Sequence, residues 1–120
     1  MMRNEVDFIS ELNHFEHWLL SNHNISPKVA KDMKSRVNRI HKTICSDLEQ
    51  KIASQEGYLE LLAKIQVYSE KNTKTKTACY SLTGSLRSAL KKFTCYKYPE
   101  LSNSLPTAHG NLVKAIAKTL

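Results

Sequence analysis

One stretch, residues 77–97, repeats apolar side chains three or four positions apart, which is the spacing of one face of an α-helix. Similar periodicity returns in four other stretches, and no stretch alternates apolar and polar residues as a half-buried strand would. With only three glycines and three prolines in 120 residues, the chain is poor in the residues that an all-β fold needs at its turns. The sequence therefore predicts an all-α bundle of four to five helices. The apolar face of this stretch comprises Ala78, Leu82, Leu86, Ala89, Leu90, Phe93 and Tyr96.

Two further helices are predicted before it, over 5–22 and from Ser26 to about Cys45. Ser26 suits an N-cap, because its hydroxyl can accept from a free backbone N–H, and Pro27 suits the first helical position. The second helix has an apolar face with a basic face opposite it. The predicted inward residues are Phe8, Leu12, Phe15, Trp18 and Leu19 in the first helix and Val29, Met33, Val37, Ile40 and Ile44 in the second.

The rest of the chain divides less clearly. After a short helical continuation and a break at Gly57, a helix is predicted over 58–68, with Leu59, Leu62 and Ile65 inward. The stretch 69–77 is basic and rich in threonine, which favours an exposed loop that is mobile until an anion orders it. A last helix is predicted over about 108–120, with Leu112, Val113, Ile116 and Leu120 facing the bundle or a partner. We expect a single domain over 1–120 with its core in about 5–98.

Positive charge is segregated along the chain. The net charge is +7, and no acidic residue lies between Glu70 and Glu100. A second basic block runs from Lys28 to Lys42, where Asp32 is the only acid. Such segregation favours one basic face and, in a small domain, a nucleic-acid partner. The positive residues of the acid-free segment are Lys71, Lys74, Lys76, Arg87, Lys91, Lys92 and Lys97.

Several classes of protein are disfavoured. No stretch has the roughly 20 apolar residues of a membrane span, and the N-terminus has no apolar secretory region; we expect a cytoplasmic protein. Its three scattered cysteines suit a reducing compartment. His14 and His17 lie three residues apart, but no HExxH motif or cysteine pair accompanies them, so no metal is expected. We find no Gly-rich phosphate loop and no nucleophile motif. The sequence predicts no cofactor and no enzymatic activity.

Two segments carry a likeness to a known family. They are FEHWLLSNHNISPKVAKDMKSRVNRIHK, residues 15–42, and YSLTGSLRSALKKFTCY, residues 80–96. They resemble the SAM-like core-binding domain that precedes the catalytic domain in tyrosine recombinases and phage integrases, and related N-terminal DNA-binding domains of mobile-element endonucleases. The family pattern is an opening "F..WL" helix, a helix ending in a basic "sRl.ri" segment and a later "S.lrsaLrkF..f" helix. The likeness covers about 15–98.

The resemblance implies a helical half-clamp that lies across duplex DNA, with its second and fourth helices toward the groove. Arg36, Arg39 and Lys42 match the first basic segment of the family, and Arg87, Lys91 and Lys92 match the second. The recombinase catalytic residues are absent, and no HxxR motif occurs. We therefore expect a protein that binds DNA without cutting or joining it, as a repressor or accessory factor of a mobile element or phage satellite.

Duplex DNA is thus the first predicted partner, and we expect the protein to bind it at a specific site. Lysines would neutralise phosphates, while Arg39, Arg87 and Lys91 would contact bases, because their donors suit guanine acceptors. Two main alternatives stay open: an all-helical interaction module, adaptor or inhibitor, with an acidic protein partner, and RNA stacked on Tyr80, Tyr96 and Tyr98. The C-terminal helix could also form a homodimer, which would suit a repressor at a palindromic site. The predicted DNA-binding residues are Lys28, Lys31, Arg36, Arg39, Lys42, Lys71, Lys74, Lys76, Arg87, Lys91 and Lys92.

Overall fold

The computed structural model describes residues 5–22 and 25–102, and within these ranges the chain forms helices and turns but no strand. This confirms the predicted all-α class. The segment 108–120, with the homodimer predicted through it, lies outside the described residues. The helices are α1 (Glu5–Asn22), α2 (Pro27–Thr43), α3 (Leu48–Lys51), α4 (Gln55–Asn72), α5 (Lys76–Lys97) and α6 (Pro99–Ser102).

The first two helices lie close to their predicted bounds. The Ser26 hydroxyl accepts from the Val29 backbone N–H at 3.3 Å, as expected of an N-cap. Val29 itself was predicted to face the core, and this is wrong: its side chain is 40% exposed, whereas Ala30 is fully buried. At 100° per residue, Ala30 lies about 20° from the buried Val37 around the helix axis, but Val29 lies about 80° away.

Helix α4 is longer than predicted, because the polar residues around it cap it. The Ser54 hydroxyl accepts from the Gly57 N–H at 3.1 Å, so Gly57 belongs to the first turn and does not break the helix. A Cβ atom on Gly57 would lie 2.0 Å from the Lys51 carbonyl oxygen. Glycine is therefore needed here for the close approach of α3.

The predicted mobile loop at 69–77 is largely helical, which corrects the sequence-based expectation. Ser69 is buried, and α4 continues to Asn72. The Asn72 amide donates to the Tyr68 carbonyl at 2.8 Å, and the Thr73 hydroxyl donates to the Ser69 carbonyl at 2.7 Å. Thr75 then caps α5 by accepting from the Ala78 N–H at 3.1 Å. Polar residues that suggest a loop here serve to end one helix and begin the next.

Helix α5 packs against both α2 and α4 and provides the centre of the core. Its Leu86, Ala89, Leu90 and Phe93 are fully buried, as predicted. Ala78 was predicted to face inward but is exposed, because the whole first turn of α5 lies outside the core. None of the described helices combines the length and apolarity needed to cross a lipid bilayer.

Aromatic rings join α1 to α5. The ring of Phe15 packs edge-on against Phe93, with centroids 5.1 Å apart, and Phe93 meets Phe8 at 6.2 Å. Trp18 and Tyr96 extend this cluster toward the ends of the two helices. Edge-to-face contacts of this kind stabilise beyond the apolar area that they bury, so the aromatic cluster fixes how α1 lies on the bundle.

Candidate functional site

The basic residues predicted on α2 are mostly exposed. Lys28, Lys31, Arg39 and Lys42 lie at the surface, and Arg36 is half-buried. Lys31 and Lys42 are eleven residues apart and therefore lie within about 20° of each other around the helix axis, with Lys28 about 60° from Lys31. These lysines share the outer face of α2.

Arg39 is held in place by a tyrosine of another helix. Its Nε donates to the Tyr68 hydroxyl of α4 at 2.9 Å, and its guanidinium carbon lies 5.4 Å from the centre of the Tyr68 ring. The guanidinium nevertheless stays exposed. Tyr68 was not identified from the sequence. It lies 29 positions from Arg39, and no spacing pattern connects the two residues.

A groove of about 380 Å³ lies next to Tyr68, between the end of α2 and the second half of α4. We call it the α2–α4 groove. Lys71 lies on its wall three residues after Tyr68, so the two side chains are neighbours on the helix surface. Lys64 also lines the groove, with its Nζ 3.5 Å from Glu60. The exposed cations of α2 thus continue onto α4. The lining residues are Thr43, Ile44, Lys64, Val67, Tyr68, Lys71 and Asn72.

A second groove, of about 470 Å³, lies between the end of α4 and the first half of α5. We call it the α4–α5 groove. Lys74 and Lys76 are exposed on its rim, in the turn between the two helices and at the first residue of α5. Together with Lys71 they form a run of positive charge along the turn. Glu70 is the acidic residue on the wall of this groove.

Arg87 was predicted to contact DNA from an exposed edge of α5, and its placement corrects that prediction. It is only 7% exposed. Its Nη2 donates to the Leu62 carbonyl at 3.0 Å and to the Gln66 Oε1 at 3.4 Å, both on α4. Burial lowers the pKa of this guanidinium, and attraction to Tyr58 and Cys79 opposes that shift. Arg87 lies at the edge of the buried arc of α5, where α4 covers it.

The other predicted cations of α5 do not join Arg87 in one exposed edge. Lys91 is exposed and Lys92 is half-buried. Lys92 directly follows Lys91, so the two side chains diverge by about 100° around the helix. The exposed cations that accompany those of α2 therefore lie on α4 and in the α4–α5 turn, and Arg87 is not among them.

Several other cations are engaged in ion pairs. The Nζ of Lys34 lies 3.2 Å from the Oε1 of Glu16 on α1, and the Nζ of Lys51 lies 2.8 Å from the Oε2 of Glu60. Lys97 bridges two carboxylates, 2.8 Å from Glu11 and 3.1 Å from Glu49. These pairs use acidic residues of α1, α3 and α4 to join helices, so they balance charge inside the bundle and leave the surplus elsewhere.

The Lys97 bridge predicts a stability effect that depends on pH. Burial works to lower the pKa of Lys97, but hydrogen bonds and attraction from Glu11 and Glu49 outweigh it and raise the pKa above the ordinary 10.5. We expect Lys97→Met to lower the free energy of unfolding by about 2–3 kcal/mol at neutral pH, because it removes the cation that the Glu11 and Glu49 carboxylates share. This is below the loss for a fully buried pair, since water reaches part of each side chain.

Urea unfolding across a pH series measures this effect. Because the folded-state pKa is raised, the stabilisation is complete below the ordinary value of 10.5 and is lost as pH rises through the folded-state pKa. The gap in stability between the wild type and Lys97→Met should therefore narrow above that pH. Lys31→Met, at an exposed position, is the control and should cost about 0.5 kcal/mol or less. A stability difference between the two proteins that widens at high pH would contradict a stabilising role for the ion pairs of Lys97.

The histidines and cysteines do not form a site in the described part of the chain. His14 and His17 are exposed, and His41 stacks on Phe8 with ring centres 3.9 Å apart. Burial, followed by the hydrogen bond to Asp47, raises the pKa of the Cys45 thiol to about 11, which disfavours the reactive thiolate. Among the described residues, no group of histidine, cysteine and acidic side chains is placed to hold a metal ion.

Comparison of the chain with protein-family models, with curated proteins and with solved structures finds no match. The all-α class therefore rests on the helices themselves. The SAM-like architecture and the DNA-binding role implied by the resemblance stay predictions.

Proposed function

We propose that this protein binds duplex DNA through a basic surface formed by the outer face of α2, the end of α4 and the α4–α5 turn. One observation carries the proposal: most of the described ion pairs join helices, while seven of the eight exposed lysine and arginine residues in the described ranges lie on this surface. Within the described ranges, Lys28, Lys31, Lys71, Lys74 and Lys76 form no ion pair. The basic surface comprises Lys28, Lys31, Arg39, Lys42, Lys71, Lys74 and Lys76.

Phosphate neutralisation would supply most of the affinity. Each lysine that pairs with a phosphate releases a condensed counterion, so binding weakens steeply as salt rises. Arg39 has a different role in this proposal. Its bond to Tyr68 orders the guanidinium before DNA arrives, which lowers the entropy lost on binding, and its remaining donors suit guanine acceptors in the major groove.

A chain with this surface and without the HxxR motif of the recombinases would occupy a DNA site and do no chemistry on it itself. That behaviour suits a repressor or an accessory factor, as the resemblance to core-binding domains implies. The resemblance also directs α2 toward the groove, and Arg36, Arg39 and Lys42 are the residues that match its first basic segment. Arg36 is half-buried, so Arg39 and Lys42 are the better candidates for direct contacts.

Fluorescence anisotropy with a labelled duplex tests the proposal. With about seven phosphate contacts, affinity should fall at least about a thousandfold between roughly 50 and 200 mM salt. The variant Lys71→Ala/Lys74→Ala should weaken binding by about tenfold or more, as expected when two phosphate contacts are lost. Circular dichroism should show both proteins equally folded, because these lysines are exposed.

Lys91→Ala/Lys92→Ala is the matched control, since it removes the same charge from α5 outside the basic surface. We expect a clearly smaller loss of affinity for this variant. Equal losses in the two variants would show that net charge alone matters and would contradict the proposed surface. Affinity that hardly changes with salt would contradict DNA binding by charge altogether.

A protein partner is the second candidate, and one observation favours it. Ile9 and Leu20 are 45% and 39% exposed, and their eleven-residue spacing places them on the same side of α1. An acidic partner with an apolar patch would suit this side of α1 beside the basic α2. Light scattering of nuclease-treated protein from its source cell distinguishes the two candidates: a protein partner survives the nuclease and a nucleic-acid partner does not.

A further inference from the structure

Arg39 differs in kind from the other members of the basic surface. That surface comprises six lysines and this single arginine. A lysine ammonium is a compact point charge that pairs with a phosphate from many directions, whereas a planar guanidinium presents its donors in a fixed arrangement. Discrimination between base sequences therefore falls to Arg39 more than to the lysines, and the orientation of its guanidinium decides which base atoms it can reach.

Tyr68 restricts that orientation in two ways. Its hydroxyl accepts from the Arg39 Nε at 2.9 Å, and its ring centre lies 5.4 Å from the guanidinium carbon. The hydrogen bond occupies the Nε side of the guanidinium, and the ring limits the tilt of its plane. In the described part of the chain the two Nη atoms form no hydrogen bond. Their paired N–H groups match the O6 and N7 acceptors of guanine.

The helix turns that carry this pair are supported in the same way. The Thr43 hydroxyl donates to the Arg39 carbonyl at 2.6 Å, and the Asn72 amide donates to the Tyr68 carbonyl at 2.8 Å. Each bond comes from a residue four positions further on, near the end of α2 or of α4. Both helices also pack against α5. The contact between Arg39 and Tyr68 is therefore set by the packing of the bundle and exists before any ligand binds.

From this arrangement we infer that Tyr68 is a positioning residue that gives the proposed DNA-binding surface a preference for guanine. Tyr68 contacts no base itself; it directs the Nη edge of Arg39. The inference rests on the proposed DNA binding and deepens it, because the lysines supply affinity for any duplex and the Arg39–Tyr68 pair supplies discrimination. Loss of the Tyr68 hydroxyl frees the Nε, so the guanidinium turns and its donors no longer favour one base.

Selection from a library of random duplexes identifies the sequence that the wild type prefers. Fluorescence anisotropy at one salt concentration then compares this selected duplex with a scrambled one. We expect Tyr68→Phe, which removes only the hydroxyl, to reduce the ratio of the two affinities by about tenfold, as for the loss of one bidentate base contact. Affinity for the scrambled duplex should fall much less, because the lysines supply it. An unchanged ratio would overturn the inference.

A modified base tests whether guanine is the base that is read. Replacing the guanines of the selected duplex one at a time by 7-deazaguanine removes the N7 acceptor and keeps the base pair. At one position we expect about tenfold weaker binding by the wild type, as for the loss of one hydrogen bond to a charged donor. Tyr68→Phe should be insensitive there. Equal sensitivity of the two proteins would leave Tyr68 only a structural role and contradict the inference.

Further variants separate positioning from a general loss of binding. Arg39→Ala should lose the same discrimination, and Arg39→Ala/Tyr68→Phe should lose no more, because Tyr68 acts through Arg39. Tyr80→Phe is the matched control, since it removes a hydroxyl from a tyrosine of α5 outside the basic surface, and it should change the ratio by less than about twofold. Additive losses in the double variant, or an equal loss in Tyr80→Phe, would count against the role of Tyr68.

Failure of this inference is distinguishable from failure of DNA binding. Salt-dependent binding of the scrambled duplex without enrichment of any sequence would overturn the role of Tyr68 and leave DNA binding intact. Enrichment of a sequence that Tyr68→Phe binds as selectively as the wild type would do the same. If the protein retains no duplex from the library, the proposed function is wrong and the inference falls with it.

Discussion

Phe93→Ala is expected to lower the free energy of unfolding by about 3–5 kcal/mol. Phe93 is fully buried near the end of α5, with its ring against Phe15 and Phe8 of α1. Removing the ring loses apolar burial and leaves a cavity, which the neighbouring rings fill only in part. Since domains of this size are stable by about 5–15 kcal/mol, the loss would take a large share of the total.

Urea denaturation of the wild type and the variant measures this loss. Tyr80→Ala is the control, because it removes an aromatic ring from the same helix at a position 73% exposed. Substitutions at exposed positions change stability by about 0.5 kcal/mol or less. A Phe93→Ala variant no less stable than Tyr80→Ala would show that α1 is not packed on α5 as described.

Gly57→Ala is expected to destabilise the protein by about 3 kcal/mol or more, although it adds a single methyl group. That methyl would lie 2.0 Å from the carbonyl oxygen and 2.8 Å from the carbonyl carbon of Lys51. Both atoms belong to the backbone at the end of α3, so no side chain can move aside to relieve the clash. The end of α3 would have to shift away from α4, with loss of packing at Leu48 and Ile52, which are buried.

Gly84→Ala is the matched control and should have the opposite sign. Gly84 lies within α5, and a Cβ atom there would meet no heavy atom within 4 Å. Alanine loses less backbone entropy than glycine on folding, so this variant should gain about 0.5–1 kcal/mol. Thermal unfolding of both variants checks the pair; destabilisation by Gly84→Ala, or tolerance of Gly57→Ala, would contradict the described approach of α3 to α4.

The helices and most of the core were predictable from the sequence, because both depend on local pattern. The apolar spacing of α1 and α5 places Phe8, Phe15, Leu86 and Phe93 inward, and the structure buries all four. The Ser26 cap was likewise visible in the sequence, since capping needs only residues three positions apart. Helix periodicity was less informative at helix ends. Val29 lies about 80° from the buried Val37 around α2, and Ala78 lies in the first turn of α5, outside the core.

The stretch 69–77 shows the limit of composition. Threonine and asparagine have low helix preference, which favours a loop. In the structure, burial of Ser69 and side-chain bonds from Asn72 and Thr73 to α4 carbonyls support the helix instead. Tertiary packing outweighs the propensity of a few residues, so the two grooves beside this turn could not be foreseen.

The sequence by itself determined that the chain is helical, most of the residues that form its core and the segregation of its positive charge, because periodicity, capping and charge are properties of neighbouring positions. The tertiary structure alone decided which cations share a surface. It buries Arg87 against α4, engages Lys97 between two carboxylates and brings Tyr68 to Arg39. These contacts join residues that are far apart in the chain, and helix packing, which has no local signature, sets them.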